Sequence, residues 1–287
     1  IEAMIAWCNE QGGINGRQIV GNYYDAAITN VVNAMTQACG EVFMLVGEAW
    51  ANDTNQEETR LGCELPAVPT YAVSAEFANA PLAVQPVPNP ADVFAAGSAG
   101  QIAELYPDEV KKAAVMFADF SATRDTKDKV LQAFPSFGWD FLDCPQQYQL
   151  LGEADWKPFA QALKDCGAEV VYYSGQVDYH PIWVTDSNNY LQSFADWNTD
   201  GIGDNVLLRS AFVPFEYAEE GSAVQQYLDL VTDHGGDVSQ LGMQATSAFL
   251  LWATAAKECT ELTRDCVLDE LSQITSWDGG GMHAEAN

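Results

Sequence analysis

Basic residues are scarce in this chain: 12 Lys and Arg stand against 41 Asp and Glu, a formal charge of −29 over 287 residues. A surface this acidic repels phosphate backbones and anionic bilayers, so neither nucleic acid nor a membrane surface is expected as a partner. Histidine is scarcer still, at His180, His234 and His283, and none of the seven cysteines forms a C-x-x-C pair. The usual Cys/His zinc spacings are therefore missing, and no metal is expected. Apolar runs long enough to cross a bilayer, about 18 residues, are absent. The longest, Ala248 to Ala256, contains Thr254 and reads as a buried helix. Ile1 already lies in an amphipathic pattern with no basic stretch before it, so no signal peptide is read. The catalytic signatures G-x-S-x-G, G-x-x-x-x-G-K-[ST], H-E-x-x-H and a strand-linked G-x-G-x-x-G are also missing. Gly97-Ser98-Ala99-Gly100 lacks the nucleophile-elbow spacing, and Gly201-Ile202-Gly203-Asp204 reads as a turn. With 41 carboxylates, chance pairs are certain, and a carboxylate pair reads as a solvated face. No enzymatic reaction and no cofactor is expected.

What the chain does have is core-forming material, with 48% hydrophobic residues and a length that suits two lobes of ordinary size. Its acidity fits a solvated soluble surface and equally a saline habitat, and the sequence leaves both open. The seven cysteines are Cys8, Cys39, Cys63, Cys144, Cys166, Cys259 and Cys266. They read as disulfides of an oxidising compartment, the alternative being small buried residues. Local pairing suggests Cys39–Cys63, Cys144–Cys166 and Cys259–Cys266, and leaves Cys8 odd.

Ile1, Met4, Ile5 and Cys8 follow helical spacing, and Gly12-Gly13-Ile14-Asn15-Gly16 supplies the stop. A strand is expected over Arg17 to Tyr24, a helix over Thr29 to Cys39, and a buried parallel strand over Val42 to Gly47. Asp53 with Gln56 has the form of a capping box opening the next helix, and Pro66 to Ala72 reads as a strand. The proline-rich Gln85 to Pro90 cannot continue a central strand and reads as a crossover. A second series follows: helix from Ala91 to Leu105, strand Ala113 to Ala118, helix Arg124 to Phe134, and strand Trp139 to Leu142. Then come a helix capped by Asp155 and stopped by Gly167, the strand Glu169 to Tyr173, a helix containing Ile182 and Val184, and the strand Val206 to Leu208. Helical patterns over Ser222–His234, Leu241–Lys257 and Thr263–Ile274 cross back to the first lobe. Such alternation predicts an α/β protein with parallel sheets flanked by helices.

One segment is more specific. Helix, then Asn9-Glu10-Gln11-Gly12-Gly13-Ile14-Asn15-Gly16-Arg17, then a strand ending Tyr24-Asp25, resembles the N-E-x-G-G-I-N-G-[KR] opening of type I periplasmic binding proteins of the branched-chain amino-acid ABC transporter class. Leu65-Pro66-Ala67-Val68-Pro69, Gly152-Glu153-Ala154-Asp155-Trp156 and Gly167-Ala168-Glu169-Val170-Val171-Tyr172 match in the family's order, so the resemblance spans nearly the whole chain. Ala211 to Phe215 and Leu262 to Cys266 resemble an actinobacterial branch. The resemblance implies two Rossmann-like lobes joined by three crossovers and hinged like a trap around a small ligand. It places 1–87 with 213–275 in the N-terminal lobe, and 88–212 with 276–287 in the C-terminal lobe. Family members begin with a strand and loop ahead of the helix found here at residue 1, and end in closing strands, so the sequence reads as a fragment.

Site residues carry over loop by loop. The first lobe's two cleft loops match Glu48 to Asp53 and Thr70 to Val73, offering Trp50, Asn52, Tyr71 and Ala72. Trp50, Asn52 and Tyr71 each have a plainer alternative: a packed surface tryptophan, part of a helix start, a tyrosine buried in its strand. The second lobe's loops match Asp119 to Ala122 and Ser174 to Gln176, offering Phe120, Ser121 and Gln176. The hinge strand brings Arg209 and Phe212. A guanidinium there suits a carboxylate in two-pronged fashion, against the alternative of a salt bridge to one of the many acids. The implied function is an extracytoplasmic solute-binding protein, a periplasmic, secreted or lipid-anchored monomer. It would hand an amino acid, amide, small carboxylate or aromatic acid to an ABC permease and its ATPase. A ligand-sensing domain of the same fold is the second reading, and an enzyme of unknown reaction the third.

Overall fold

The computed structural model describes residues 1–287 except 174–180, 200 and 202. The chain divides into two compact units, Ile1–Asn89 with Ala211–Asn287, and Pro90–Ser210. Both are α/β, with parallel strands flanked by helices.

The first unit opens with α1 (Glu2–Glu10), which buries Met4 and Cys8. The stop after it needs left-handed backbone, and Gly12, Gly13, Asn15 and Gly16 all have positive φ. A Cβ on Gly13 would collide with the Arg17 carbonyl. Helix α2 (Val31–Glu41) buries Val31, Ala34, Met35 and Ala38, the stripe that a 3.6-residue period demands. Strands β1 (Leu45–Val46) and β2 (Ala67–Val68) pair in parallel, Leu45 with Ala67 and Val46 with Val68. Between them lie a 3₁₀ turn (Asp53–Gln56) and α3 (Glu57–Gly62), and α4 (Ala75–Ala78) follows. Past the second unit come α9 (Ala223–Asp233), α10 (Gln240–Glu258) and α11 (Arg264–Gln273). The 19-residue α10 is buried almost all round, and its start is capped by Ser239, whose hydroxyl accepts from the Gly242 amide at 3.0 Å.

The second unit holds a five-stranded parallel sheet in the order β4-β3-β5-β6-β7. The strands are β3 (Ala113–Ala118), β4 (Gln146–Tyr148), β5 (Val170–Tyr173), β6 (Ile182–Thr185) and β7 (Val206–Leu208). Every residue of β3 is buried, because helices cover both faces. Val115, Tyr172 and Val184 pack on one face against α5 (Gly97–Leu105) and α6 (Ser121–Ala133). Met116, Tyr173 and Trp183 pack on the other against α7 (Lys157–Cys166). Helix α8 (Gln192–Trp197) lies between β6 and β7 in sequence.

Several local expectations need correction. Residues 18–24 form no ladder, only an irregular segment. Ile182-Trp183-Val184-Thr185 is strand β6 and not helix: three of the four residues are β-branched and they pair with β5 and β7. The stretch around Trp139 to Leu142 makes one isolated bridge, Ala113 with Phe141, and β4 starts only at Gln146. Helix α5 starts at Gly97, not Ala91, and β2 is confined to Ala67–Val68. Asp53 does not cap its own helix; its carboxylate accepts from the amides of Val73 and Ser74 at 2.6 and 3.0 Å. The 276–287 segment, assigned above to the second lobe, belongs to the first unit with Phe212. Trp277 Nε1 donates to Ser247 Oγ at 2.9 Å, and the Phe212 and His283 rings lie 4.6 Å apart. Polar side chains make these ties, which hydrophobic periodicity cannot report.

Three disulfides are present, Cys39–Cys63, Cys144–Cys166 and Cys259–Cys266, the pairs suggested by local spacing. Cys8 is buried and free.

Candidate functional site

At the carboxyl ends of β1 and β2, hydrogen bonds hold two loops together. The Gly47 amide donates to the Val68 carbonyl at 2.8 Å, the Thr70 amide to the Glu48 carbonyl at 2.9 Å, and Thr70 Oγ1 to the Gly47 carbonyl at 2.8 Å. Gly47 turns with φ +74°, and a Cβ there would come within 2.6 Å of Ile1 Cδ1. The loops brought together are those carrying the first unit's expected residues. Trp50 is half-buried, packed against the cluster of Ala26 with Val31 and Ala34 of α2, and Asn52 is half-buried at the head of the 3₁₀ turn without capping it. Tyr71 is half-buried, and burial, with the Asp53 charge adding to it, pushes its phenol up to about 12. Ala72 is a core residue, 2% exposed, whose carbonyl accepts from Asn89 Nδ2 at 2.6 Å. Trp50 and Asn52 also line a cavity of about 770 Å³ within this unit.

Below these loops is a group of buried polar side chains that sequence reading missed. Both carboxylate oxygens of Glu48 and both amide atoms of Gln56 are buried, with no side-chain partner among the described residues. Burial raises the Glu48 carboxyl from about 4.5 to about 7, its own backbone amide and then the Arg60 charge partly opposing this. A buried acid directly after a strand-ending glycine is the signal that the sequence carries, but 41 acids hide it.

In the second unit, Phe120 and Ser121 stand at the carboxyl end of β3, where Ser121 opens α6. The Asp119 amide donates to the Tyr148 carbonyl, tying this loop to β4. Arg209, just past β7, forms the salt bridge: Nη2 and Nε lie 2.7 and 2.8 Å from Asp186 Oδ1. Its guanidinium also stacks 4.3 Å from the Phe94 ring centroid, and Tyr172 Oη donates to both Asp186 oxygens at 3.1 Å. Asp186 and Phe94 are therefore part of the arginine's surroundings. Asp186 was missed because residues near Ile182 read as helix, which hid it at a strand end, and Phe94 because it read as part of a helix that in fact starts at Gly97. Phe212, 4% exposed, is a core residue of the first unit, whereas Arg209 belongs to the second. Gln176 lies outside the described residues.

No family model matches the chain, and no curated protein matches it in sequence. Solved structures do match in fold. One is the branched-chain amino acid transporter substrate-binding protein LivJ from Streptococcus pneumoniae, in complex with isoleucine. It has 14% identity and a TM-score of 0.78, over 98% of this chain and 84% of that one. Another is the leucine-binding protein LivK from Thermotoga maritima, with 13% identity and a TM-score of 0.78 over the same shares. A third is an ABC transporter substrate-binding protein from Aeropyrum pernix, with 15% identity and a TM-score of 0.79, over 99% of this chain and 80% of that one. The chain has the fold of these substrate-binding proteins. At such identity the likeness concerns backbone, not side chains at a site.

Proposed function

We propose that the chain is an extracytoplasmic solute-binding protein that captures an amino acid, amide or small carboxylate for uptake. In this reading it acts as a monomer, delivering its cargo to a membrane permease driven by an ATPase. The observation that carries the reading is the fold shared with substrate-binding proteins over 98–99% of the chain. Three disulfides add support, since such bonds persist in oxidising compartments.

Trp50, Asn52 and Tyr71 are the proposed ligand contacts of the first unit, and Phe120, Ser121, Gln176 and Arg209 those of the second. A ligand carboxylate would share the Arg209 guanidinium with Asp186, while a ligand ammonium would be drawn to Asp186 itself. Arg209 is thus a pre-positioned partner, already ordered by its pair and by Phe94, which lowers the entropy cost of binding.

The test is a thermal-shift screen on the oxidised protein, unfolded and refolded to strip carried-over ligand. Aliphatic and aromatic amino acids, small carboxylates, aromatic acids and amides form the panel. A ligand that binds only the native state raises the melting temperature. Arg209→Ala is expected to weaken a carboxylate ligand at least about tenfold, the scale of one charge-assisted bond. A ligand whose affinity is unchanged by that substitution removes Arg209 from the site. A panel compound converted to product overturns the binding-protein reading.

A further inference from the structure

Beyond solute binding, we propose that residues 277–286 form an acid-released strap, latched to α10 through His283 and holding the segment 211–213 in place at neutral pH. The strap closes on itself, Trp277 and Ala286 each donating to the other's carbonyl at 2.8 Å. It also grips the chain where it enters the first unit. The Val213 amide donates to the Met282 carbonyl at 2.9 Å, and Phe212 bridges His283. A glycine permits the close fit to α10. Gly279 turns with φ +64°, and a Cβ there would come within 2.9 Å of the His283 ring and 3.0 Å of Ser247 Oγ.

A directed chain of hydrogen bonds fastens the strap. Trp277 Nε1, which can only donate, reaches Ser247 Oγ at 2.9 Å. The Ala284 carbonyl, which can only accept, lies 2.8 Å from His283 Nδ1, so that nitrogen carries the ring proton. His283 Nε2, 3.0 Å from Ser247 Oγ, is left to accept the serine's hydrogen. Donors and acceptors therefore match for the neutral imidazole. A second proton turns Nε2 into a donor. Trp277 and the imidazolium would then aim two donors at one hydroxyl oxygen, whose own hydrogen loses its acceptor. The site is also dry, with Ser247 fully buried and His283 5% exposed. Burial accordingly holds the His283 ring below its ordinary value.

Few charges face this ring. The charged side chains of α10, Lys257 and Glu258, lie at its far end. Helix α9, whose Val224 and Tyr227 pack with Phe212 and Met282, keeps Asp229 and Asp233 exposed. In the strap, Glu285 is exposed, and Asp278 favours the charged ring without outweighing burial. With the strap open, the ring meets water and takes its proton near the ordinary 6.5. The latch is therefore complete above about pH 6.5 and weakens as pH falls below it.

The experiment measures hydrogen exchange of the oxidised full chain at pH 7 and pH 5, at the amides of Val213, Trp277 and Ala286. Each rate is divided by that of an unstructured peptide at the same pH, which leaves the protection due to structure. Protection at these amides is expected to fall about tenfold from pH 7 to pH 5. Amides in the middle of α10 are expected to keep theirs, which separates strap release from global unfolding. In His283→Gln, whose side chain still accepts from Ser247 but cannot charge, strap protection is expected to be equal at the two pH values. Nitrogen resonances of the His283 ring in the parent are expected to show the proton on Nδ1 at pH 7 and a midpoint below 6.5. Protection independent of pH in the parent, an equal fall in the variant, an equal fall throughout α10, or a ring midpoint at or above 6.5 overturns the proposal. Should His283→Gln fail to fold, the exchange and ring titration of the parent decide it. No solute enters these samples, so this reading and the solute reading can fail separately.

Discussion

Arg60, with no exposed surface, is gripped by Glu57 from one helical turn away, through hydrogen bonds of 2.8 and 2.7 Å to its Nε and Nη2. Its remaining donors reach the carbonyls of Leu65 and Pro81 at 2.8 Å, so α3 is pinned to both ends of the chain flanking β2. Removing one member of a buried pair strands the other. Arg60→Ala is expected to cost about 3–5 kcal/mol in urea unfolding. Replacing Arg60 and Glu57 together by Leu and Met should cost less than Arg60→Ala alone. A double variant as unstable as the single one would show that the carbonyl contacts, not the ion pair, dominate.

Glu48 makes stability depend on pH. Its folded carboxyl, raised by burial from about 4.5 to about 7, holds a proton that the unfolded chain releases earlier. The stabilisation is therefore complete below about pH 4.5 and is lost as pH rises through 7, by about 3 kcal/mol. Glu48→Gln removes the ionisation and keeps the shape. The difference in urea midpoint between variant and parent should grow in the variant's favour from pH 4.5 to pH 8. A constant difference would mean that Glu48 is solvated or partnered in solution.

Elements whose formation depends on local periodicity were legible in the sequence. Helix α10 is long with an apolar centre, strand β3 is uniformly apolar, and each lies within a residue or so of its expected limits. The stop after α1 was legible because glycine chemistry is local. Pairing partners were not. Ile182 to Thr185 suits a helix face or a buried strand, and only β5 and β7 on either side decide between them. The Arg209–Asp186 pair joins residues 23 apart, and nothing in their spacing selects that acid among 41. Asp53 had the form of a capping box, yet its carboxylate is claimed by amides 20 and 21 residues away. Side-chain destinations of this kind are tertiary facts, and most of the candidate site depends on them.

Surface acids are mostly without basic partners: among the described residues five ion pairs form, against 41 acids in the chain. Self-repulsion on this scale is relieved by counterions. Raising sodium chloride from 0.05 to 1 M should raise the melting temperature by on the order of 5 °C or more. A flat or falling curve would mean that the acids are spaced widely enough not to interact.

Breaking Cys39–Cys63, which closes a loop of 24 residues beside α2 and α3, should destabilise the first unit by about 3 kcal/mol. The Cys39→Ser, Cys63→Ser double variant checks this by urea unfolding, with mass spectrometry confirming that the other two bonds persist. An unchanged midpoint would show that packing of α2 on α3 suffices without the bond.

All three bonds are short in sequence, spanning 24, 22 and 7 residues. Each can close once its own small stretch of chain is exposed to an oxidant, before distant strands have met. Correct oxidation then needs no shuffling among remote thiols. The odd thiol, Cys8, is sequestered inside α1's packing face. Oxidation of the chain can therefore proceed segment by segment, ahead of the pairing of distant strands.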